Sequence, residues 1–191
     1  ARVIKAVLMA SATQLGGWDN GQQTQNGVSF TFSSGGMTWV QSHDNVSVTT
    51  QSLDWYQGAG QLNLGQALDV YLGYSGFWVL DSIAQDSMGN EIHIELTADQ
   101  TIAVCLTWFA DRSVAEDAQI TIVGDEDQTD YAVSDNALAN LDLELWLLGE
   151  DGTSLPVAVS RSIYNSVEYI VFEIEQDGIY AIRVTHNGMV Y

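Results

Sequence analysis

The sequence predicts a mainly β protein: an antiparallel β-sandwich or jelly roll, preceded by a short, mostly helical N-terminal segment that carries a hairpin insertion. After Gly73 apolar residues recur at every second position in short runs such as Glu91-Ile-His-Ile-Glu-Leu96, which is the spacing of half-buried strands. Turn sequences such as Met88-Gly-Asn and Gln176-Asp-Gly separate these runs. Short strands with such turns between them are typical of sandwiches and jelly rolls.

The change of pattern at Gly73 divides the chain into two predicted parts, residues 1–73 and residues 74–191. The second part holds seven strand-like segments. They are residues 77–84, 91–97, 102–109, 141–148, 155–160, 167–175 and 179–186.

Residues 3–12 predict a short helix, because they contain no Gly or Pro and their apolar residues recur at helical spacing. Apart from Lys5 and Ser11 this helix is apolar on every side. Such a helix is stable only when most of its circumference is covered. We therefore expect it to lie against a larger protein body.

A second helix is predicted to follow the segment Gly58-Ala-Gly-Gln-Leu-Asn63, with apolar residues from Leu64 to Leu72 at helical spacing. Asn63 can cap its first turn and Gln66 can complete a capping box. Gly73 can end the helix, since glycine readily adopts the left-handed conformation of a C-cap.

Residues 14–57 form an insertion rich in Gly, Gln, Asn, Ser and Thr. Within it, alternating runs at residues 28–32 and 37–40 flank Ser33-Ser-Gly-Gly36, which predicts a surface hairpin.

Tryptophan and tyrosine residues fall into two groups. We expect the tryptophans within strand-like segments to be core residues; they are Trp78, Trp108 and Trp146. The aromatics in polar, glycine-rich surroundings could stack on a sugar or cover an edge of the protein, and we prefer the second role. These are Trp18, Trp39, Trp55 and Tyr56.

The net charge of the chain limits the kinds of partner that it can bind. There are 25 acidic and five basic residues, a net charge of −20, and 46% of residues are hydrophobic. Such a chain folds, but it repels the phosphates of nucleic acid. No apolar stretch approaches the roughly 18 residues of a membrane span. We expect neither a nucleic-acid partner nor a membrane span.

The chain offers no recognisable catalytic constellation. Its single cysteine, Cys105, lies in an apolar run and is expected to be an inert thiol. Of the three histidines, His93 is expected in a strand, His43 in a polar loop and His186 as a surface residue at the end of the last strand. No serine lies in a nucleophile-elbow motif. We therefore predict no catalytic residue and no bound organic cofactor.

Calcium is the one cofactor that the sequence suggests. Gly124-Asp-Glu-Asp-Gln-Thr-Asp130 clusters carboxylates in a loop, and hard cations take such oxygen ligands. The run lacks the glycine and closing glutamate of an EF-hand. It is therefore either a calcium site of another geometry or a solvated acidic loop. The candidate ligands are Asp125, Asp127, Asp130, Asp135 and Asp142.

Three stretches together resemble the subtilisin-like serine proteases, the subtilase family. Val3-Ile-Lys-Ala-Val-Leu-Met-Ala-Ser-Ala12 is similar to the helix after the family's nucleophile-bearing helix. Gly58-Ala-Gly-Gln-Leu-Asn63 with Ala67-Leu68 is similar to the segment that closes its catalytic domain. The third stretch resembles the β-sandwich appended to many secreted bacterial members. It comprises Leu138-Ala-Asn-Leu-Asp-Leu-Glu-Leu145, Ser166-Val-Glu168 and Asp177-Gly-Ile-Tyr-Ala-Ile-Arg-Val184.

The resemblance implies that this chain is the non-catalytic C-terminal region of a secreted endopeptidase: the last segment of the catalytic domain joined to a β-sandwich. The family's catalytic Asp, His and G-T-S motif all precede the position of Val3, so the chain is expected to be inactive alone. Its main partner would be the remainder of the parent protease, and the sandwich could contact protein substrate or polysaccharide. Two alternatives stay open: a protein- or carbohydrate-binding module, and a self-associating extracellular structural protein.

Overall fold

The fold is described from a computed structural model that covers residues 2–34, 36–83, 91–109, 111–116, 131–163 and 165–189. The protein is mainly β, most strand pairs are antiparallel and a short helix opens the chain, as the sequence predicts. The described helices are α1 (Arg2–Ala10) and α2 (Leu64–Leu72). The described strands are β1 (Gln23–Gln25), β2 (Val28–Ser34), β3 (Met37–His43), β4 (Val46–Thr49), β5 (Ile92–Leu96), β6 (Thr101–Thr107), β7 (Asp111–Glu116), β8 (Tyr131–Ala137), β9 (Ala139–Leu148), β10 (Ser154–Ser160), β11 (Val167–Glu173) and β12 (Gly178–Met189).

A six-stranded sheet in the order β1-β4-β10-β9-β12-β5 organises the protein. Strands β4 and β10 run parallel, and the other neighbours in this sheet are antiparallel. Successive side chains of a strand point to opposite faces. On β9, Leu143 and Leu145 therefore lie on one face, whereas Asp142, Glu144 and Trp146 lie on the other.

The leucine face of β9 is covered by the strand pair β6–β11. Leu143, Leu145, Ile170 and Ile182 form a buried cluster, and apolar residues of β6 pack against it. Two layers of strands thus share one apolar core, which is the main stabilising element of such folds. The finer assignment as a sandwich or jelly roll remains a prediction.

The opposite face of the sheet is covered by the hairpin β2–β3, the predicted surface hairpin of the insertion. Phe30 of this hairpin is 2% exposed and its ring meets the fully buried ring of Trp146 edge to face, with centroids 4.9 Å apart. The insertion therefore contributes a second apolar core.

Most predicted elements are confirmed, with three differences. Residues 77–83 form no strand. Strands β1, β4, β7 and β8 were not predicted, because their runs are short or interrupted by polar residues. Strands β1 and β4, from the first predicted part, share a sheet with β9, β10 and β12 of the second. The division at Gly73 stays a prediction.

The caps of α2 follow the sequence closely. The side chain of Asn63 accepts the backbone N–H of Gln66 at 3.1 Å, and Gly73 adopts the left-handed conformation with φ 81°. The predicted second half of the capping box is wrong, because in the described residues the Asn63 backbone N–H makes no hydrogen bond to the Gln66 side-chain oxygen. The Gln66 Nε2 donates to the Ser75 hydroxyl at 2.8 Å. This bond folds the segment after the helix back onto it.

Candidate functional site

The apolar side of α2 is largely uncovered by the described residues. Ala67 is the one α2 residue that is buried, whereas Leu64 and Leu68 are 65% and 57% exposed. Tyr71 and Leu72 are also exposed. Large contiguous patches of exposed apolar side chains mark interaction surfaces, because removing apolar surface from water is favourable.

The segment that follows α2 extends this uncovered region. Trp78 stacks on Tyr71 with ring centroids 6.1 Å apart, and its Nε1 donates to the Tyr71 carbonyl at 3.3 Å. Trp78 is nevertheless 44% exposed, so its prediction as a core residue is wrong. We call the exposed apolar residues of both helices and this segment the apolar face. Its members are Ile4, Leu64, Leu68, Tyr71, Leu72, Tyr74, Phe77, Trp78, Val79 and Leu80.

Helix α1 is covered on one side only. It packs on β6 and α2, Val7 is buried, and the Thr107 hydroxyl donates to the Arg2 carbonyl at 3.2 Å. On its outer side Ile4 is 57% exposed. We predicted that this helix lies against a larger protein body. Its inner side is covered by β6 and α2, so only its outer side is left for such a body to cover.

A cavity of about 980 Å³ lies between α1, residues 75–83 and the adjoining ends of the sheets. Ile94, Val104, Leu143 and Val184 line it, so it opens onto the core between β6–β11 and the six-stranded sheet. Cores normally pack without voids much larger than a water molecule. Within the described part of the chain, the packing around α1 is thus incomplete.

A tight turn at residues 54–58 presents two aromatic side chains to solvent. Trp55 and Tyr56 are 83% and 98% exposed. The Asp54 carboxylate accepts three backbone N–H groups: that of Asp19 at 2.8 Å, and those of Tyr56 and Gln57 at 2.7 Å each. These hydrogen bonds, from Asp19, Gln57 and Tyr56, lower the pKa of Asp54. The turn is therefore fixed by an ionised carboxylate.

The other two aromatics of the insertion have structural roles. Trp18 is half-buried, donates from Nε1 to the Gly58 carbonyl at 2.8 Å and meets Tyr169 edge to face at 6.1 Å. Trp39 stacks on Phe32 at 5.7 Å. Two of the strand tryptophans are core residues as predicted, since Trp108 and Trp146 are buried.

The predicted calcium ligands are only partly placed. Asp125, Asp127 and Asp130 lie outside the described residues, and Asp135 lies on β8 in register with Arg112. In the described part of the chain no three His, Cys, Asp or Glu residues are grouped as metal ligands. The calcium site remains a prediction.

The fifth candidate ligand, Asp142, belongs to a buried ionic network beneath the hairpin. Its carboxylate lies 3.0 Å from the Arg161 guanidinium and accepts the Asn187 amide at 2.7 Å. Burial raises the pKa of Asp142 to about 7, although Arg161 opposes the shift. Arg161 also donates to the Ser29 carbonyl at 3.1 Å and lies over the Phe30 ring, so it ties the hairpin to the sheet.

Sequence analysis did not predict the role of Glu168, which is fully buried. Its carboxylate accepts the Ser162 backbone N–H at 2.8 Å and also contacts the hydroxyls of Ser160, Ser162 and Ser52. The Ser52 hydroxyl also lies 2.6 Å from the Val167 carbonyl. The network links the loop after β4 to β10 and β11. One feature of the sequence could have predicted this role: Glu168 is an acidic residue within the otherwise apolar run of β11.

The three histidines occupy different settings. His93, on β5, is hydrogen-bonded to Glu91 at 2.7 Å, as expected for a strand residue. His43 lies on β3 against Phe30 and Trp146, so the loop prediction is wrong. His186 is 5% exposed and accepts the Gly188 N–H at Nδ1, so the surface prediction is also wrong.

Burial raises the pKa of Cys105 to about 12. A thiol with such a pKa stays protonated at neutral pH, and a protonated thiol is a poor nucleophile.

Comparison with known proteins identifies no family: no protein-family model and no curated protein matches the chain. In the described residues, neither helix is long and apolar enough to cross a membrane.

Proposed function

We propose that this chain is the non-catalytic C-terminal region of a secreted subtilisin-like serine endopeptidase, and that its apolar face docks on the catalytic body of that enzyme. The observation that carries the proposal is the uncovered apolar side of α2. Docking would stabilise the protease and hold the β-rich region at one edge of it.

The position of the apolar face within the sequence supports this proposal. The segments that resemble the subtilase catalytic domain, residues 3–12 and residues 58–68, form α1, the entry to α2 and its first turns. These same segments leave Ile4, Leu64 and Leu68 exposed. Three members of the apolar face thus lie in the segments that resemble the catalytic domain, and most of the others follow directly after the second segment.

The helix caps support a docked rather than a fraying α2. Asn63 and Gly73 fix both ends of the helix, although its apolar side faces solvent. An isolated nine-residue helix is marginal in water, and packing of an apolar stripe normally supplies most of its stability. A capped helix with an unpaired apolar stripe fits an element whose packing partner lies elsewhere in the polypeptide.

The first experiment reads the residues encoded immediately before Ala1. A G-T-S-type nucleophile motif within a few tens of residues supports the proposal, and its absence contradicts the proposed family. The second experiment expresses the upstream polypeptide and this chain as two tagged proteins and measures whether they associate.

A separate activity assay tests the non-catalytic role. The chain alone is incubated with peptide and casein substrates, and no turnover is expected. Turnover that a serine-directed phosphonate blocks would overturn the proposal, because the chain would then hold its own active site.

Self-association is the rival function that the same apolar face favours, since two copies could cover each other's exposed leucines. Light scattering of the purified chain separates the two functions. A monodisperse monomer that gains affinity only for the upstream polypeptide supports docking, whereas a defined oligomer that ignores this polypeptide supports self-assembly.

A further inference from the structure

We propose that the cavity beside α1 is a binding site for a neutral amphiphile, a molecule with one long apolar chain and an uncharged polar head. The cavity has a volume of about 980 Å³ and lies between α1, residues 75–83 and the adjoining ends of the sheets. Small-molecule sites typically have volumes of about 300–1,000 Å³, so this one is large enough for a lipid-sized ligand. The inference goes beyond the proposed function and does not depend on it, because residues of this chain alone form the site.

The walls of the cavity are mainly apolar. Val3, Ala6 and Ala10 line it from α1, and Ile94 of β5 and Val104 of β6 line it from the strands. Ile94 and Val104 pack against the core cluster between the two layers but are only half-buried. Apolar side chains beside a void lose packing contacts, and an apolar void takes up apolar molecules more readily than water. The body of the ligand is therefore apolar.

The cavity is elongated along α1. Arg2 at the start of the helix and Ser11 directly after its last residue both line it. A helix rises by about 1.5 Å per residue, so these two positions are about 14 Å apart along the axis. A long unbranched chain that lies beside α1 fits this shape better than a compact molecule.

The end of the cavity at Ser11 is polar. Ser11 is 4% exposed, and no group of the described residues forms a hydrogen bond with its hydroxyl. Buried hydroxyls are normally hydrogen-bonded, so a polar group of a ligand would complete this site. The adjacent lining is also uncharged: the Asn63 amide donates to the Thr13 hydroxyl at 3.2 Å, and the Gln66 amide donates to the Ser75 hydroxyl at 2.8 Å. We place the head of the ligand at this end.

The charges of the chain favour an uncharged head. Among the described lining residues, Arg2 supplies the guanidinium and Asp81 the carboxylate, so the cavity carries no excess of positive charge from these groups. The Arg2 guanidinium lies over the Phe109 ring at 5.2 Å, at the end of α1 away from Ser11. The whole chain has a net charge of −20, which repels anions, and a carboxylate beside Ser11 would be buried without a cation. The head is therefore a hydroxyl, ester or amide.

The first test titrates the purified chain with n-decanol and with decanoate, which share an alkyl chain length and differ in the charge of the head. Trp78 and Trp108 line the cavity, so tryptophan fluorescence reports its occupancy. We expect n-decanol to bind and to raise the melting temperature, because a ligand of the folded state stabilises that state. Decanoate should bind at least about tenfold more weakly, since its charge would be buried unpaired.

Two results of this titration would overturn the inference. The cavity is not a ligand site if n-decanol neither binds nor raises the melting temperature. The neutral head is wrong if decanoate binds as tightly as n-decanol or more tightly.

The second test fills the cavity from α1. Ala6→Phe adds a ring at a lining position, whereas Ile4→Phe places the same side chain on the outer side of the helix, where Ile4 is 57% exposed. We expect Ala6→Phe to weaken n-decanol binding by about tenfold or more and Ile4→Phe to change it less than about twofold. Equal affinities of the two variants would place the alcohol on the exposed apolar face and overturn the inference.

The third test removes the hydroxyl at the polar end, with a change small enough to be tolerated even if Ala6→Phe does not fold. Ser11→Ala should weaken n-decanol binding by about three- to tenfold, the effect of one lost hydrogen bond. The melting temperature without ligand should not fall, because the Ser11 hydroxyl has no partner in the described residues. Unchanged affinity for n-decanol would contradict the placement of the head beside Ser11.

Discussion

The carboxylate of Glu168 accepts the backbone N–H of Ser162 at 2.8 Å, and both residues are buried, at 0% and 3% exposed. This contact joins β11 to the chain that leaves β10. Burial raises the pKa of Glu168, against the hydrogen bonds from Ser160 and Ser162 that lower it. A buried carboxyl is tolerated only when its oxygens are satisfied, and here serine hydroxyls and a backbone amide supply the donors.

Glu168→Gln should destabilise the protein by about 1–3 kcal/mol. The NH2 group of glutamine would replace one carboxylate oxygen, and it cannot accept the hydrogen bonds that this oxygen now accepts. Urea unfolding followed by tryptophan fluorescence measures the change. Glu173→Gln, at the exposed end of the same strand, is the matched control and should alter the free energy of unfolding by no more than about 0.5 kcal/mol. Equal stability of the two variants would contradict the prediction, because it would mean that the Glu168 carboxyl group does not stabilise the fold.

Asp142 should make the protein less stable as the pH rises from about 4 to about 7. Burial raises its pKa to about 7 in the folded protein, with Arg161 opposing and the nearby Glu144 and Glu168 adding to the shift. In the unfolded chain the pKa is about 3.9, so the folded state holds the proton more tightly. The contribution of the protonated Asp142 side chain to the free energy of unfolding is fully present below pH 4. It is lost as the pH rises to 7, and the total loss is about 4 kcal/mol at most.

The measurement is the free energy of unfolding against pH for the wild type and Asp142→Asn. The variant should show a shallower fall over this range, since the amide does not titrate. Glu144 and Glu168, whose pKa values burial also raises, should leave a residual slope. Asp69→Asn on the exposed side of α2 should reproduce the wild-type profile. A profile of Asp142→Asn that matches the wild type would contradict the assignment.

Elements set by local chemistry could be predicted from the sequence. Helix α2 has the bounds that its Asn63 cap, its apolar spacing and Gly73 indicate. Strands β9 and β12 alternate apolar and polar residues, and the hairpin β2–β3 brackets its glycine turn. In each case the signal lies within a dozen residues of the element it specifies.

Features set by distant contacts could not be predicted. Strand β4 forms because β10, more than a hundred residues later, offers it a parallel neighbour. Residues 77–83 have strand-like composition but find no partner among the described strands. Asp142 was a calcium candidate on composition, and its pairing with Arg161 appears only once β10 ends beside β9. The role of Glu168 likewise depends on serines from two separate segments, Ser52 after β4 and Ser160 and Ser162 at and just after the end of β10.

Phe30→Ala should loosen the hairpin β2–β3 from the sheet. Phe30 is 2% exposed, meets Trp146 at 4.9 Å and carries the Arg161 guanidinium at 4.5 Å over its ring. Truncating a buried phenylalanine typically costs about 3–5 kcal/mol. Guanidinium unfolding should show this loss, and hydrogen exchange should accelerate first at the β2 and β3 amides. Phe77→Ala, at a 46% exposed position, is the control and should cost about 1 kcal/mol or less.

Replacing the exposed leucines of α2 should remove surface hydrophobicity without loss of stability. Leu64→Gln and Leu68→Gln act at positions that are 65% and 57% exposed, so little buried area is lost, and glutamine is a good helix former. We expect a change in the free energy of unfolding within about 0.5 kcal/mol and a clear fall in the fluorescence of the apolar dye ANS. Ala67 lies next to Leu68 in the sequence but is only 6% exposed. Ala67→Gln should therefore destabilise the protein by about 1–3 kcal/mol, because the larger side chain overfills a packed site. If Leu64→Gln and Leu68→Gln destabilised the isolated chain as strongly as Ala67→Gln, the leucines would already be packed within it, and α2 would have no side left for a partner.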